Sequence, residues 1–382
     1  VQVLGGTATA MSSPTSTVAG QALAFADASL RAGGNLDVTT SGAVTVRAGN
    51  NAAATASTVD PMPNFAEADA SAEMVAGGNV SISASTLTIQ GGDDVQATAT
   101  GVSLNNIAEA SGDAVVFSGG AVAVNVSGNV LIRGGAGANP GAVASGAGAA
   151  GAYTEASAGL IAKTGVSLNA GGNLTILGGK AVASFTANNY ADALAGAAII
   201  AGAPASFEEG GYTSGEQSQA SLARAVDIIT GGDVLLTSGT LSGTWARAPA
   251  AIVGFGSVAL SIGGATGLVF TGDITSTNPG TGFYEGINNP VKVSFTGGGA
   301  TLFSDSGLGT DSAFVFSADL GLTEEVLREV SSTVGDINEA TTVEEEQGED
   351  EEEDKEDKED GEDTAESDED ADSAPKVVKK CS

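Results

Sequence analysis

The chain has no histidine and a single cysteine, Cys381, in 382 residues. Without imidazole there is no His-based acid–base or nucleophilic chemistry, and one thiol builds no disulfide framework. Aromatics are scarce at 4 %, so an ordinary α/β enzyme core is a poor fit. No uninterrupted apolar run approaches the roughly 18 residues of large side chains that a membrane helix needs. The longest, such as Ala193 to Ala203, are mostly Ala and Gly, which bury little area. No basic-then-apolar segment opens the chain, and its start at Val1 reads as that of a fragment or processed product.

Bases are also few. The formal net charge is −33, and residues 344–372 alone carry 20 acids against 2 lysines. The remainder is acidic too, so there is no electrostatic footprint for nucleic acid or for an anionic membrane surface. A single sign of charge keeps a large, repetitive surface soluble.

What is abundant is glycine, 56 residues, together with Ala, Ser, Thr and Val. That mixture suits many short β-strands separated by Gly-rich turns. A repeat is legible: Arg31-Ala-Gly-Gly-Asn-Leu-Asp-Val, Val75-Ala-Gly-Gly-Asn-Val-Ser-Ile, Val126-Ser-Gly-Asn-Val-Leu-Ile, Asn169-Ala-Gly-Gly-Asn-Leu-Thr-Ile and Ile229-Thr-Gly-Gly-Asp-Val-Leu-Leu. The turns close on Asn35, Asn79, Asn129, Asn173 and Asp233, at spacings of 44, 50, 44 and 60 residues. Alternation of Leu36, Val38, Val44 and Val46 with polar residues marks strands. Strands such as Leu87-Thr-Ile-Gln end in a Gly pair, and an Ala-rich stretch usually follows.

These features predict an all-β, right-handed parallel β-helix over residues 1–320. A 44-residue repeat predicts two coils of some twenty residues each, roughly thirteen coils in all and a rod on the order of 60 Å. The turn asparagines are expected in left-handed backbone, with a structural role in a ladder whose stacking partners two coils per repeat would leave unassigned. Asp60-Pro-Met-Pro-Asn and Phe207-Glu-Glu-Gly-Gly-Tyr read as projecting loops. Trp245, Phe255, Phe270, Phe295 and the other rings of residues 241–316 read as core of terminal coils.

In 321–338, Thr323 as N-cap and the stripe Val326, Leu327, Val330 and Val334 predict a short capping helix over the last coil. Residues 339–374 predict a disordered acidic linker, and 375–382 a basic tip in which Lys379 and Lys380 favour the Cys381 thiolate and a tethering disulfide.

Repeated Ala-Gly-Gly-Asn-Leu-Thr-Ile segments with Gly-Gly-ended strands, over about residues 28–240, resemble the filamentous-haemagglutinin-like exoproteins of bacterial two-partner secretion. The resemblance implies the C-terminal part of a surface adhesin, exported by an outer-membrane two-partner transporter and serving attachment or biofilm formation. It implies an extracellular or outer-membrane location, an unidentified glycan or protein receptor, and room for self-association. The basic, Cys-containing end resembles that of adhesins held at the outer membrane, although those often carry a Cys pair.

Pectate-lyase-like enzymes share the β-helix, so polysaccharide cleavage is the rival reading. Such enzymes need clustered acids, or acids with a basic partner, in a groove. Asp93-Asp94 and Glu208-Glu209 are the candidate acids, but each pair also suits a solvated turn and no Arg or Lys cluster is expected beside them. A purely architectural surface filament is the third reading. Gly91-Gly-Asp-Asp and Gly231-Gly-Asp lack the nonapeptide of calcium-binding solenoids, and Leu177-Gly-Gly-Lys lacks the spacing of a phosphate loop. No catalytic residue, metal site or cofactor is expected.

Overall fold

The computed structural model describes residues 1–304 except 14–19, 59–62, 102–105, 138–140, 148–149, 187–188, 203–224, 244–245, 249, 255–256, 272–285, 289–290 and 299. The chain divides into two compact units, Val1–Glu339 and Ala340–Ser382; the second lies wholly outside the described residues, as do the expected capping helix, linker and tip.

The described part is all-β, a parallel β-helix of five sheets. One complete coil shows the plan through its strands Ala43–Arg47, Ala53–Thr58, Asn64–Asp69, Ala72–Ala76 and Val80–Ala84. Each founds one sheet, numbered here 1 to 5 in that order. The next coil starts at Thr86–Gln90, which pairs in parallel with Ala43–Arg47, Ile89 opposite Val46. Among the described residues the sheets hold eight, six, six, seven and seven strands.

The repeat is therefore one wide coil, not two narrow ones. Eight levels give a described stack of about 34 Å, against the expected 60 Å. The expectation assumed a narrow circumference; five strands with their corners use the whole 44 residues. The 60-residue gap contains residues 203–224, which include the expected Phe207 loop and are not described. Beyond it the register resumes, with Val226 opposite Val166.

Two separate cores account for the width. Sheets 1, 4 and 5 enclose Val, Leu and Ile, among them Val46, Ile89, Leu160, Leu168 and Ile199. Sheets 2 and 3 face each other as a fin beside that body, and its interior is almost wholly alanine: Ala54, Ala66, Ala97, Ala108, Ala142 and Ala152, with Val95 the exception. The Ala-rich stretches between the repeat motifs are this fin, in which methyl groups alternate with outward Thr, Ser and Glu. The Asp60-Pro-Met-Pro segment falls between the fin strands Ala53–Thr58 and Asn64–Asp69, at residues not described. Phe295 packs against the main core, as expected of the terminal rings.

Candidate binding faces and side-chain ladders

The five turn residues lie at two corners rather than one. Asn35 and Asn79 precede strands of sheet 5, whereas Asn129, Asn173 and Asp233 precede strands of sheet 1. Direct stacking supplies the partners that two coils per repeat left unassigned. The Asn79 N–H donates to Asn35 Oδ1 and the Ala121 N–H to Asn79 Oδ1, each at 2.9 Å. At the other corner the Asn173 and Asp233 N–H groups donate to Asn129 Oδ1 and Asn173 Oδ1, also at 2.9 Å. Asp233 Oδ1 then accepts from the Thr266 and Gly267 N–H groups. Each side chain thus satisfies a backbone donor one level on.

The same ladder explains the glycines. A Cβ on Gly78, Gly120, Gly172 or Gly232 would collide with the Oδ1 of Asn35, Asn79, Asn129 or Asn173 in turn. Left-handed backbone is not the reason for asparagine here: among the described residues the non-glycine positions with positive φ are Asn51 (61°) and Asp94 (57°), at a different corner.

Two further ladders escaped the sequence reading. Asn64, Asn106 and Asn189 are buried at the far edge of the fin, where the sheet 2 strands end and the sheet 3 strands begin. Their amides bridge it, donating to the carbonyls of Ser57, Thr100 and Gly146 at 3.1–3.2 Å. Their Oδ1 atoms accept from the Gly20, Asn64 and Ala150 N–H groups. The signal was present in Asn64-Phe-Ala-Glu-Ala-Asp and its echo Asn106-Ile-Ala-Glu-Ala-Ser.

Between sheets 3 and 4 runs an Asp–Ser ladder. The Ser71 N–H donates to Asp27 Oδ1 (3.0 Å), the Asp113 N–H to Ser71 Oγ (3.2 Å) and the Ser157 N–H to Asp113 Oδ1 (2.6 Å). Burial, and then the charges of Glu155, Asp69 and Glu73, hold the Asp113 carboxyl well above its ordinary range. Asp27 is raised as well, by burial and by Asp69.

Of the candidate acids, Asp93 has basic company that its sequence neighbours do not reveal. Arg47 and Arg133 flank it from adjacent levels, with Arg133 Nη2 2.7 Å from Oδ1 and Arg47 Nη2 3.6 Å from Oδ2. Gln90 and the Ala136 N–H also donate to it. The fold thus holds both oxygens of an acid that has two basic partners, which the sequence reading did not expect. Glu208 and Glu209, and Lys379, Lys380 and Cys381, lie outside the described residues. Among the described residues no group of three or more His, Cys, Asp or Glu side chains could hold a metal ion.

The fin presents two sides to solvent. On sheet 2 the strands Ala53–Thr58, Gln96–Gly101 and Gly141–Ser145 carry no charge, and hydroxyls recur in register: Ser57 beside Thr100 beside Ser145. On sheet 3, Glu67, Glu109, Tyr153 and Asp192 form one column. Tyr153, 39 % exposed, lies over Gly151, where a Cβ would press on its ring. Its centroid is 5.5 Å from that of Tyr190, at an interplanar angle of 43°. The Tyr190 hydroxyl donates to Asp192 at 3.1 Å. Burial, with Glu109 and Asp192 adding their charge, raises the Tyr153 phenol above its ordinary value.

No family model, curated protein or solved structure matches the chain.

Proposed function

We propose that the chain is part of a secreted or surface-displayed bacterial adhesin or matrix solenoid, non-catalytic, which binds through the sides of its fin. The carrying observation is the contrast between its two sides, hydroxyl columns on sheet 2 and the tyrosine–carboxylate column on sheet 3, each repeating at the strand spacing. A flat array with a period of about 4.8 Å suits a repetitive partner such as a glycan chain, where many weak contacts add. Paired rings offer stacking area, and the flanking carboxylates offer acceptors to sugar hydroxyls. The filamentous-haemagglutinin-like resemblance supplies the rest of the proposal: export by an outer-membrane two-partner transporter, outer-surface display and an outward-facing receptor contact.

The Arg47–Asp93–Arg133 cluster, an acid with basic partners, is what the rival enzyme would need, so product release is assayed beside binding. The test is binding of the purified full chain to a glycan and host-matrix array, with reducing-end release assayed on the same polysaccharides. Saturable binding without product, weakened about tenfold or more by Tyr153→Ala with Tyr190→Ala, is expected; one lost stacking contact is worth roughly 1.4 kcal/mol. Release of product would replace the adhesin by a polysaccharide-active enzyme. Absence of binding to any array component would favour a purely architectural filament.

A further inference from the structure

The outer side of sheet 4 differs from every other outer face. At its first two levels it carries Ser29, Arg31 and Glu73 beside Val75, and Arg31 pairs with Glu73 across the register. From the third level it turns apolar. Val115, Phe117, Gly159, Ile161, Ala198, Ile200 and Ala251 all point away from the core, since their neighbours Ala114, Val116, Leu160, Ile199 and Ile252 fill it. Phe117, Ile161 and Ile200 form one continuous column.

Yet this face is shielded. Ile161 is 2 % exposed, Val115 4 % and Ala198 6 %. Among the described residues, the elements packed on these strands are their stack neighbours and the strands of sheets 1 and 5 across the core, none of them on the outer side. An apolar column of this length is not left to water.

We propose that the chain's own segment 321–338 covers this face, laying Val326, Leu327, Val330 and Val334 on Phe117, Ile161 and Ile200. Three arguments single it out. Its apolar residues recur at helical spacing while Glu324, Glu325, Arg328 and Glu329 occupy the other side, so one face matches the sheet and the other suits solvent. A helix over Thr323–Val334 is about 18 Å long, and the sheet 4 strands from the third to the sixth level span about 14 Å. The described chain leaves the stack at Ser304, and the 16 residues from there to 321 reach up to about 53 Å, ample for the two to five levels back to the apolar strands. The segment is thereby a side buttress rather than the end cap that its sequence position suggests.

Hydrogen exchange on the full chain tests this. The amides of 324–334 are expected to be protected, and Ile200→Asp or Phe117→Asp, both on the outer side, to speed their exchange about tenfold or more while the solenoid's far-ultraviolet signal persists. Leu327→Asp, outside the solenoid, is expected to do the same and to quicken exchange in the sheet 4 strands. Unprotected amides at 324–334 in the unmodified chain would overturn the proposal, as would protection indifferent to the sheet 4 variants. A second arm uses Ile200→Cys with Val330→Cys in a Cys381→Ser chain. A disulfide within one chain, independent of concentration, is expected; crosslinks between chains would assign the face to a second copy and overturn the intramolecular docking.

Discussion

Asp113 carries its carboxyl into the corner between sheets 3 and 4, where Glu155, Asp69 and Glu73 already concentrate negative charge. Its folded-state affinity for a proton is raised, so the folded chain holds more protons than the unfolded one from about pH 4 upward. The stabilising contribution is complete below that pH and is lost as pH rises through the folded-state value. Asp113→Asn keeps the Oδ1 acceptor for the Ser157 N–H and removes the ionisation. It should raise the melting midpoint at pH 7 by about 2–4 °C and flatten the dependence on pH. Thermal melts at pH 4 and pH 7 check this, and an unchanged pH slope would exclude the effect. The Asn–Gly pairs allow a sharper test. Asn79→Ala strips the Ala121 N–H of its acceptor and should cost about 1–2 kcal/mol. Asn79→Asp should cost little, because Asp233 already fills the same role. Gly120→Ala should cost more than Asn79→Ala through collision with Asn79 Oδ1. In the double variant, denaturant melts should show the two losses to be less than additive.

At the level of elements, the fin is where packing tolerance is narrowest. Its sheets meet through methyl groups, so there is no flexible side chain to absorb an added volume. Ala108→Leu, at a position with no solvent exposure, should destabilise by about 1–3 kcal/mol or more through overpacking. Ile89→Val in the main core should cost only about 1 kcal/mol. Hydrogen exchange is expected to localise the first loss to sheets 2 and 3. The element scale is also where the sequence was least legible. Alternation marked individual strands, and the Gly-Gly-Asn turns announced stacking, because a glycine must face the asparagine one level below. The number of strands per coil was hidden, since alanine strands have too little hydrophobic contrast to declare an inside. The 50-residue spacing held the missing clue: it is one coil, here 43 residues from Leu87 to its partner Val130, plus the seven-residue step from the sheet 5 corner to the sheet 1 corner. Two corners with the same local chemistry had merged into one motif. The Arg47–Asp93–Arg133 cluster was equally hidden, since its members meet only through register between levels.

Among the described residues every strand pairs with the equivalent strand one coil away, so stability adds level by level. All the backbone bonds between levels run along the stack. A load applied between the two ends would therefore pull on them in tension, and a coil can detach without its neighbours shearing. One released coil of 44 residues pays out about 150 Å of extended chain in exchange for roughly 5 Å of stack. Stretched this way, the solenoid would lengthen in discrete steps and limit the force transmitted along it.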